Sequence, residues 1–131
     1  MIFVDTSAIY ALAESGDPNH PAAVLRLQQI LDSQEGMLTH NYVLLESVAL
    51  LQARLGLAQA VKFADDSANF TIEWIDKSLH LYGIRQWQKS GKRHISLVDH
   101  ISFLVMRRHH VKIAFAFDPD FEREGFKLFV E

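Results

Sequence analysis

The sequence predicts an α/β fold in which a mainly parallel central sheet of four to five strands is flanked by helices, giving three layers. Short apolar runs alternate with helical patterns along the chain, and this alternation indicates βαβ units. Connections between such strands are right-handed, so we expect helices on both faces of the sheet. The 131 residues suffice for one domain with a substantial core, which we assign to residues 1–131.

The first half of the chain contains two predicted strands and four predicted helices. Pro18 and Pro21 suit the start of the second helix. Asn41 is a good N-cap for the third helix, and Gly56 closes that helix. In chain order, the elements are a strand at 2–4, helices at 7–14 and 22–31, a strand at 37–39, and helices at 42–55 and 58–68.

The second half continues the alternation of strands and helices. The basic, glycine-containing loop KSGKRH separates two of its helices, and Ser96 begins the second of them. Gly125 leads into the last strand. In chain order, the elements are a strand at 70–75, helices at 77–89 and 97–110, a strand at 112–117, a short helix at 119–124 and a strand at 127–130.

Composition narrows the classes of function. The chain has no cysteine, which excludes disulfides, thiolate metal sites and cysteine nucleophiles. Its N-terminus has no basic region ahead of a long apolar stretch, so we expect no signal peptide. The most apolar helical segment, YVLLESVALL, is short and contains Glu46, so we expect no membrane span and a cytoplasmic protein.

Two predicted strands end in an aspartate. Asp5 follows the apolar residues 2–4, and Asp118 follows an apolar run at 113–117. In open α/β sheets, ligands bind outside the carboxyl ends of the strands, where both carboxylates are expected. Each aspartate also has a local explanation as a helix N-cap, and Pro119 fits the first helical position after Asp118.

Two further acids come from predicted helices. Asp99 completes an S-x-x-D pattern with Ser96, which matches a capping box. Glu46 lies in a helix that is apolar on nearly every face, so we expect the helix to be buried. A buried glutamate needs a cation, a donor or a proton. A salt bridge to Arg54 or Arg85 is one explanation, and a metal ion is the other.

Taken together, the four acids indicate a metal site. Asp5, Glu46, Asp99 and Asp118 come from different segments, and each lies near a strand end or a helix start. An α/β fold can bring such segments together at one edge of the sheet. A carboxylate cluster without cysteine or histidine ligands suits a hard cation such as Mg²⁺ or Mn²⁺.

The net charge of −3 hides an uneven distribution. Without the five acids Asp5, Glu46, Asp99, Asp118 and Asp120, the remaining 11 of the 16 acids face 13 lysines and arginines. An acidic site on a mildly basic body suits an enzyme that holds cations and acts on a phosphate polymer. A basic group shortly before Asp99 offers phosphate contacts, with a solvated surface as the alternative. Its members are Arg85, Lys89, Lys92 and Arg93.

Four segments of the chain resemble PIN-domain ribonucleases, and within them the VapC-like toxins of bacterial and archaeal toxin–antitoxin pairs. The segments are FVDTSAIYAL at 3–12, THNYVLLESVALLQARLG at 39–56, ISLVDHISFLVMRR at 95–108 and AFAFDPDFEREGF at 115–126. They occur in the order found in the family, and the match covers essentially the whole chain.

The resemblance implies a PIN-like sandwich and a metal-dependent endoribonuclease. It implies an acidic pocket of Asp5, Glu46, Asp99 and Asp118 that holds Mg²⁺ or Mn²⁺ and carries the catalysis. Supporting residues are Thr6, Ser7 and Asp120. It also implies an RNA substrate, a homodimer and a small VapB-like antitoxin whose tail covers the pocket.

Two other functions compete with this interpretation. An Asp-based phosphotransfer domain of the haloacid-dehalogenase kind requires D-x-D after the first strand, but Asp5 is followed by Thr6 and Ser7. A receiver domain requires a paired acid beside Asp5 and a lysine after a late strand, and neither is evident. A non-catalytic module that binds RNA or protein would use the acids only as helix caps.

Overall fold

The computed structural model describes all 131 residues and contains a single five-stranded sheet. The strands are β1 (Ile2–Val4), β2 (Met37–His40), β3 (Thr71–Glu73), β4 (Ile113–Phe115) and β5 (Lys127–Leu128). They lie in the order β3-β2-β1-β4-β5, and every pairing is parallel. The predicted α/β class with its parallel sheet is confirmed.

Seven α-helices connect or follow the strands, and they match the predicted helices with shifts of a few residues at the ends. They are α1 (Thr6–Ala13), α2 (His20–Asp32), α3 (Asn41–Leu55), α4 (Leu57–Asp66), α5 (Lys77–Ser90), α6 (Leu97–Arg108) and α7 (Asp120–Arg123). A short 3₁₀ helix at Ser67–Asn69 follows α4. No helix combines the length and apolar character needed to cross a bilayer.

The centre of the sheet brings the chain that follows β1 beside the chain that follows β4. Asp5 directly follows β1, whereas Asp118 lies three residues beyond the end of β4 rather than directly after it as predicted. Phe3 pairs with Leu38 on one side and with Ala114 on the other, so β1 lies between β2 and β4. Beyond the last pair, the amide of Asp5 donates to the carbonyl of Phe115 at 3.1 Å. Because β1 and β4 are parallel neighbours, the residues that follow them meet at one edge of the sheet.

The N-terminus of α3 differs from the prediction. His40, rather than Asn41, is the N-cap, and its Nδ1 accepts a hydrogen bond from the amide of Val43 at 3.3 Å. Asn41 is already helical, and its Oδ1 accepts from the amide of Ile75 at 2.7 Å. The capping ability of Asn41 is therefore used in a tertiary contact with the segment after β3.

The prediction that α3 is a buried helix was wrong. The helix buries Val43, Ser47 and Leu51, which form one stripe at spacings of four residues. Leu45 is 72 % exposed, and Glu46 is also exposed. Glu46 therefore does not need a partner to compensate for burial, and it forms no ion pair with Arg54 or Arg85.

Candidate active site

Asp5 anchors the site at the end of β1. It is the N-cap of α1, and its Oδ2 accepts from the amide of Ser7 at 3.1 Å and from Ser7 Oγ at 2.7 Å. Ser7 Oγ in turn accepts from the amide of Phe117 at 2.9 Å. These bonds fix the Asp5 carboxylate between the start of α1 and the chain that leaves β4.

The surroundings of Asp5 disfavour its ionised form. The residue is only 5 % exposed, and burial raises the pKa of its carboxyl group. The hydrogen bonds from Ser7 lower that pKa, whereas the charges of Asp118 and Glu46 raise it. No cationic side chain pairs with Asp5. Only a proton or an added cation can therefore offset the charge of the buried carboxylate.

Asp99 reaches the same region from the first turn of α6. It forms the predicted capping box, since its amide donates to Ser96 Oγ at 3.1 Å and its Oδ2 accepts from the Ser96 amide at 3.2 Å. The pKa of Asp99 is raised to about 6, chiefly by burial and also by the charges of Asp5 and Asp118, while the hydrogen bonds with Ser96 lower it. The capping box therefore presents Asp99 to the other carboxylates.

Three carboxylates are close enough to share one cation. Asp99, Asp118 and Asp120 each offer an oxygen, and these oxygens all lie within 4.8 Å of one another. Oxygen ligands of Mg²⁺ or Ca²⁺ stand about 2.0–2.6 Å from the ion, so two ligands of one ion lie up to about 4–5 Å apart. The donor set and its spacing fit a hard divalent cation.

Asp120 already has a cationic partner within the chain. Its Oδ1 accepts from Arg123 Nη1 at 2.7 Å, and His94 Nε2 lies 3.4 Å from the same oxygen. Its amide donates to Asp118 Oδ1 at 2.9 Å. The prediction that Asp118 is the N-cap of α7 was wrong, because α7 begins at Asp120 and Pro119 occupies the N-cap position. Sequence reasoning missed Arg123, although its spacing of three residues from Asp120 on a helix was an available signal.

The remaining predicted residues lie on α1, α3, α5 and the loop after α5. Thr6 Oγ1 accepts from Ser47 Oγ at 3.3 Å, which joins α1 to α3 beside Glu46. Asp5 and Glu46 both lie outside the group of oxygens within 4.8 Å. Each is connected to the group through charge, since Asp118 and Glu46 raise the pKa of Asp5 and Asp5 raises the pKa of Asp99. The four predicted phosphate contacts are all exposed on α5 or the loop after it, and they are Arg85, Lys89, Lys92 and Arg93.

Comparisons with known proteins identify the family of this chain. The PIN domain family model matches residues 2–127. Two relatives, both named 23S rRNA-specific endonuclease VapC20, come from Mycobacterium tuberculosis strains CDC 1551 / Oshkosh and ATCC 25618 / H37Rv. Each is 36 % identical over 129 residues, covering 96 % of this chain and 95 % of the relative.

A solved structure gives the same result for the fold. The crystal structure of Mycobacterium tuberculosis VapC20, described as a sarcin-ricin loop cleaving toxin, superposes with a TM-score of 0.84. The two chains are 34 % identical, and the match covers 96 % of each. This chain belongs to the PIN domain family.

Proposed function

We propose that this protein is a metal-dependent endoribonuclease that acts as the toxin of a toxin–antitoxin pair. The observation that carries the proposal is the buried Asp5 carboxylate, which has only neutral donors within the chain and lies beside Asp99 and Asp118. Relatives of this chain that match nearly its whole length carry the names of endonuclease and toxin.

Asp5, Asp99 and Asp118 are the residues that would hold Mg²⁺ or Mn²⁺. Asp99 and Asp118 belong to the group of oxygens within 4.8 Å, and Asp5 is added because it is buried without a cation and its charge acts on Asp99. When bound, the ion lowers the pKa of a water and stabilises negative charge on the phosphate oxygens. Glu46 adds a fourth acid at the rim, where it reaches the site directly or through water. Asp120 accepts a hydrogen bond from Arg123, and we propose that it supports the loop that carries Asp118.

The remaining side chains of the site hold these groups in place. Ser7 fixes the Asp5 carboxylate and ties it to Phe117, and the capping box fixes Asp99. Arg85, Lys89 and Arg93 are exposed and suit contacts with RNA phosphates, which provide affinity rather than sequence selection.

A structured ribosomal RNA is the proposed substrate. The relatives that match this chain are named for 23S rRNA, and the solved relative is described as cleaving the sarcin-ricin loop. An identity of 36 % over 96 % of the chain supports the same class of substrate here. We propose a cytoplasmic location for the same reason, because a nuclease of ribosomal RNA must meet ribosomes.

The direct test is cleavage of purified 23S rRNA, with the products mapped and their ends identified. We expect one main cut, which stops in EDTA and returns with Mg²⁺ or Mn²⁺. Because water is the nucleophile, the products carry 5′-phosphate and 3′-hydroxyl ends. Cyclic phosphate ends, or cleavage that survives exhaustive chelation, would contradict the mechanism.

A small antitoxin and a second copy of the chain are the proposed protein partners. Expression of the chain alone should arrest growth, and co-expression of a short neighbouring gene product should restore it. Arrest that persists with Asp5→Asn would show that toxicity does not arise from cleavage. The mass in solution tests the homodimer, and a monomer at high protein concentration would contradict it.

A further inference from the structure

Arg123 is a cation that the carboxylate cluster itself holds in place. Its Nη1 donates to Asp120 Oδ1 at 2.7 Å. Asp120 is one of the three acids whose oxygens lie within 4.8 Å of one another, and the other two are Asp99 and Asp118. A single carboxylate group therefore connects the guanidinium of Arg123 to the other acids of the cluster.

Most of the guanidinium of Arg123 is available for a further ligand. A guanidinium carries five N–H donors, and arginine–carboxylate pairs often use two of them side by side. Here one nitrogen of Arg123 bonds one oxygen of Asp120. The side chain of Arg123 is 63 % exposed, whereas that of Asp120 is 7 % exposed. The buried carboxylate thus fixes one end of the guanidinium and leaves its other donors at the surface.

A second nitrogen-bearing side chain approaches the same oxygen of Asp120. His94 Nε2 lies 3.4 Å from Asp120 Oδ1, and the side chain of His94 is 60 % exposed. His94 comes from the loop after α5, whereas Arg123 ends α7. Two exposed side chains from separate segments therefore converge on one carboxylate at the border of the cluster.

The chemistry of Arg123 favours a phosphate as its ligand. A guanidinium is a planar fork of donors that matches two oxygens of a phosphate, and it keeps its positive charge at every physiological pH. RNA that reaches the carboxylates brings negative phosphates towards negative side chains, and this repulsion must be offset by cations. Arg123 supplies a fixed positive charge at that point, in addition to the charge of any bound metal ion.

We propose that Arg123, oriented by Asp120, binds a backbone phosphate of the RNA at the carboxylate cluster; this inference rests on the ribonuclease function proposed above. The contact contributes affinity and fixes the position of the RNA, but it selects no sequence, because phosphates carry no base identity. Asp120 acts through Arg123 as a positioning residue. Its buried carboxylate then has a role in substrate binding that does not require direct contact with a metal ion.

RNA binding in EDTA tests this contact separately from cleavage. A fluorescently labelled RNA stem–loop is titrated with protein at several KCl concentrations, and its anisotropy gives the dissociation constant. Each phosphate contact adds about 0.7–0.9 to the slope of log affinity against log salt, so Arg123→Met should reduce the magnitude of the slope by that amount. Arg108→Met is the matched control and should keep the wild-type slope. Arg108 is 60 % exposed and pairs with Glu73, but it lies about 13 Å from Asp99 along α6.

Cleavage in Mg²⁺ provides the second readout. Arg123→Met should lower kcat/KM by at least about tenfold, the size expected for a hydrogen bond to a charged group, and equally on RNAs of different sequence. Arg108→Met should stay within about threefold of wild type. A wild-type salt slope in Arg123→Met, or a loss of cleavage no larger than that of Arg108→Met, overturns the inference. Absence of cleavage by wild type would instead contradict the proposed function.

A double variant keeps the inference testable if Arg123→Met does not fold with Asp120 buried and unpaired. Asp120→Asn removes the buried charge, so the double variant of Asp120→Asn and Arg123→Met should fold. Its RNA binding is compared with that of Asp120→Asn alone, which retains the arginine. The two slopes should again differ by about 0.7–0.9, and equal slopes would overturn the inference.

Discussion

Two aspartates of this protein are equally buried but differ in their partners. Asp5 and Asp120 are each 5 % exposed. Asp120 accepts a bond from the guanidinium of Arg123 at 2.7 Å, with His94 close by. Asp5 accepts bonds only from the amide and hydroxyl of Ser7, and burial together with neighbouring acids raises the pKa of its carboxyl group.

The difference bears on which of the two carboxylates is free to bind an external cation. A buried carboxylate next to an arginine is neutralised within the chain, although such a pair adds little net stability. A buried carboxylate with neutral donors and acidic neighbours keeps an unfavourable charge that an external cation can offset. Burial alone therefore does not distinguish the two aspartates; the absence of an internal cation at Asp5 is the feature that supports its proposed role as a metal ligand.

Activity should separate the two aspartates most strongly. Asp5→Asn and Asp99→Asn should each reduce RNA cleavage in Mg²⁺ by at least about 100-fold, a loss typical of removing one charge-stabilising group. Asparagine keeps the shape and most of the capping ability, so both variants should fold. Asp120→Asn should retain activity within about tenfold. Initial rates measured on the same RNA make the comparison, and equal losses at all three positions would refute the distinction.

His40 is a buried basic side chain and extends the comparison to a group that becomes charged when it binds a proton. His40 is fully buried, and burial lowers its pKa to about 3, below the value of about 6.5 in the unfolded chain. Between these values the unfolded chain binds the proton and the folded chain does not, so stability falls as the pH falls from 6.5 towards 3. Because of His40, the free energy of unfolding at pH 5 should be about 2 kcal/mol lower than at neutral pH.

Urea unfolding at pH 7 and pH 5 measures this contribution. His40→Asn should unfold more easily at both values, because the ring also bonds to Ser102 Oγ at 2.9 Å. Between pH 7 and pH 5, the unfolding free energy of His40→Asn should nevertheless fall by less than that of wild type. An identical drop in both proteins would show that His40 is not the titrating group.

The ion pair of Asp120 predicts a moderate effect on stability. Arg123→Met leaves Asp120 buried without its cation and should lower the unfolding free energy in EDTA by about 1–2 kcal/mol, a value reduced because the arginine is largely exposed. Arg123→Lys keeps the charge and should recover part of the loss. If Arg123→Met melts like wild type, the pair does not support Asp120.

The smallest expected effect on stability is that of Asp99. Its titration changes stability with pH in the direction opposite to that of His40. Its folded pKa is raised to about 6, above about 3.9 in the unfolded chain. The folded chain binds the extra proton in this window, so metal-free protein loses stability as the pH rises from about 4 to about 6. Asp99→Asn should remove about 1 kcal/mol of this loss after allowance for solvent screening. Urea unfolding in EDTA across this range tests it, and an unchanged profile would contradict the assignment.

Much of the carboxylate site could be predicted from short-range patterns. Asp5 and Asp118 each follow an apolar run, and parallel strands bring such ends to one edge of the sheet. Asp99 carries its own signature in the S-x-x-D pattern with Ser96. These features depend only on neighbours in the sequence, so the sequence was sufficient to predict them.

The errors concern features that depend on distant neighbours. The apolar composition of α3 suggested burial of Glu46, but composition does not report how many elements cover a helix, and one face of α3 is uncovered. Asn41 was expected to cap α3 but bonds to Ile75 instead. The proximity of His94 to Asp120 likewise joins residues from separate segments.

Thermal melting of wild type and Asp5→Asn, each in EDTA and in millimolar Mg²⁺, tests the central claim that Asp5 forms part of a cation site. Bound metal stabilises the native state by mass action, so wild type should melt higher in Mg²⁺ than in EDTA. Asp5→Asn removes a buried charge at nearly constant volume, so it should melt higher than wild type in EDTA and lose most of the rise in Mg²⁺. A variant that melts lower than wild type in EDTA and keeps the full rise in Mg²⁺ would contradict the account.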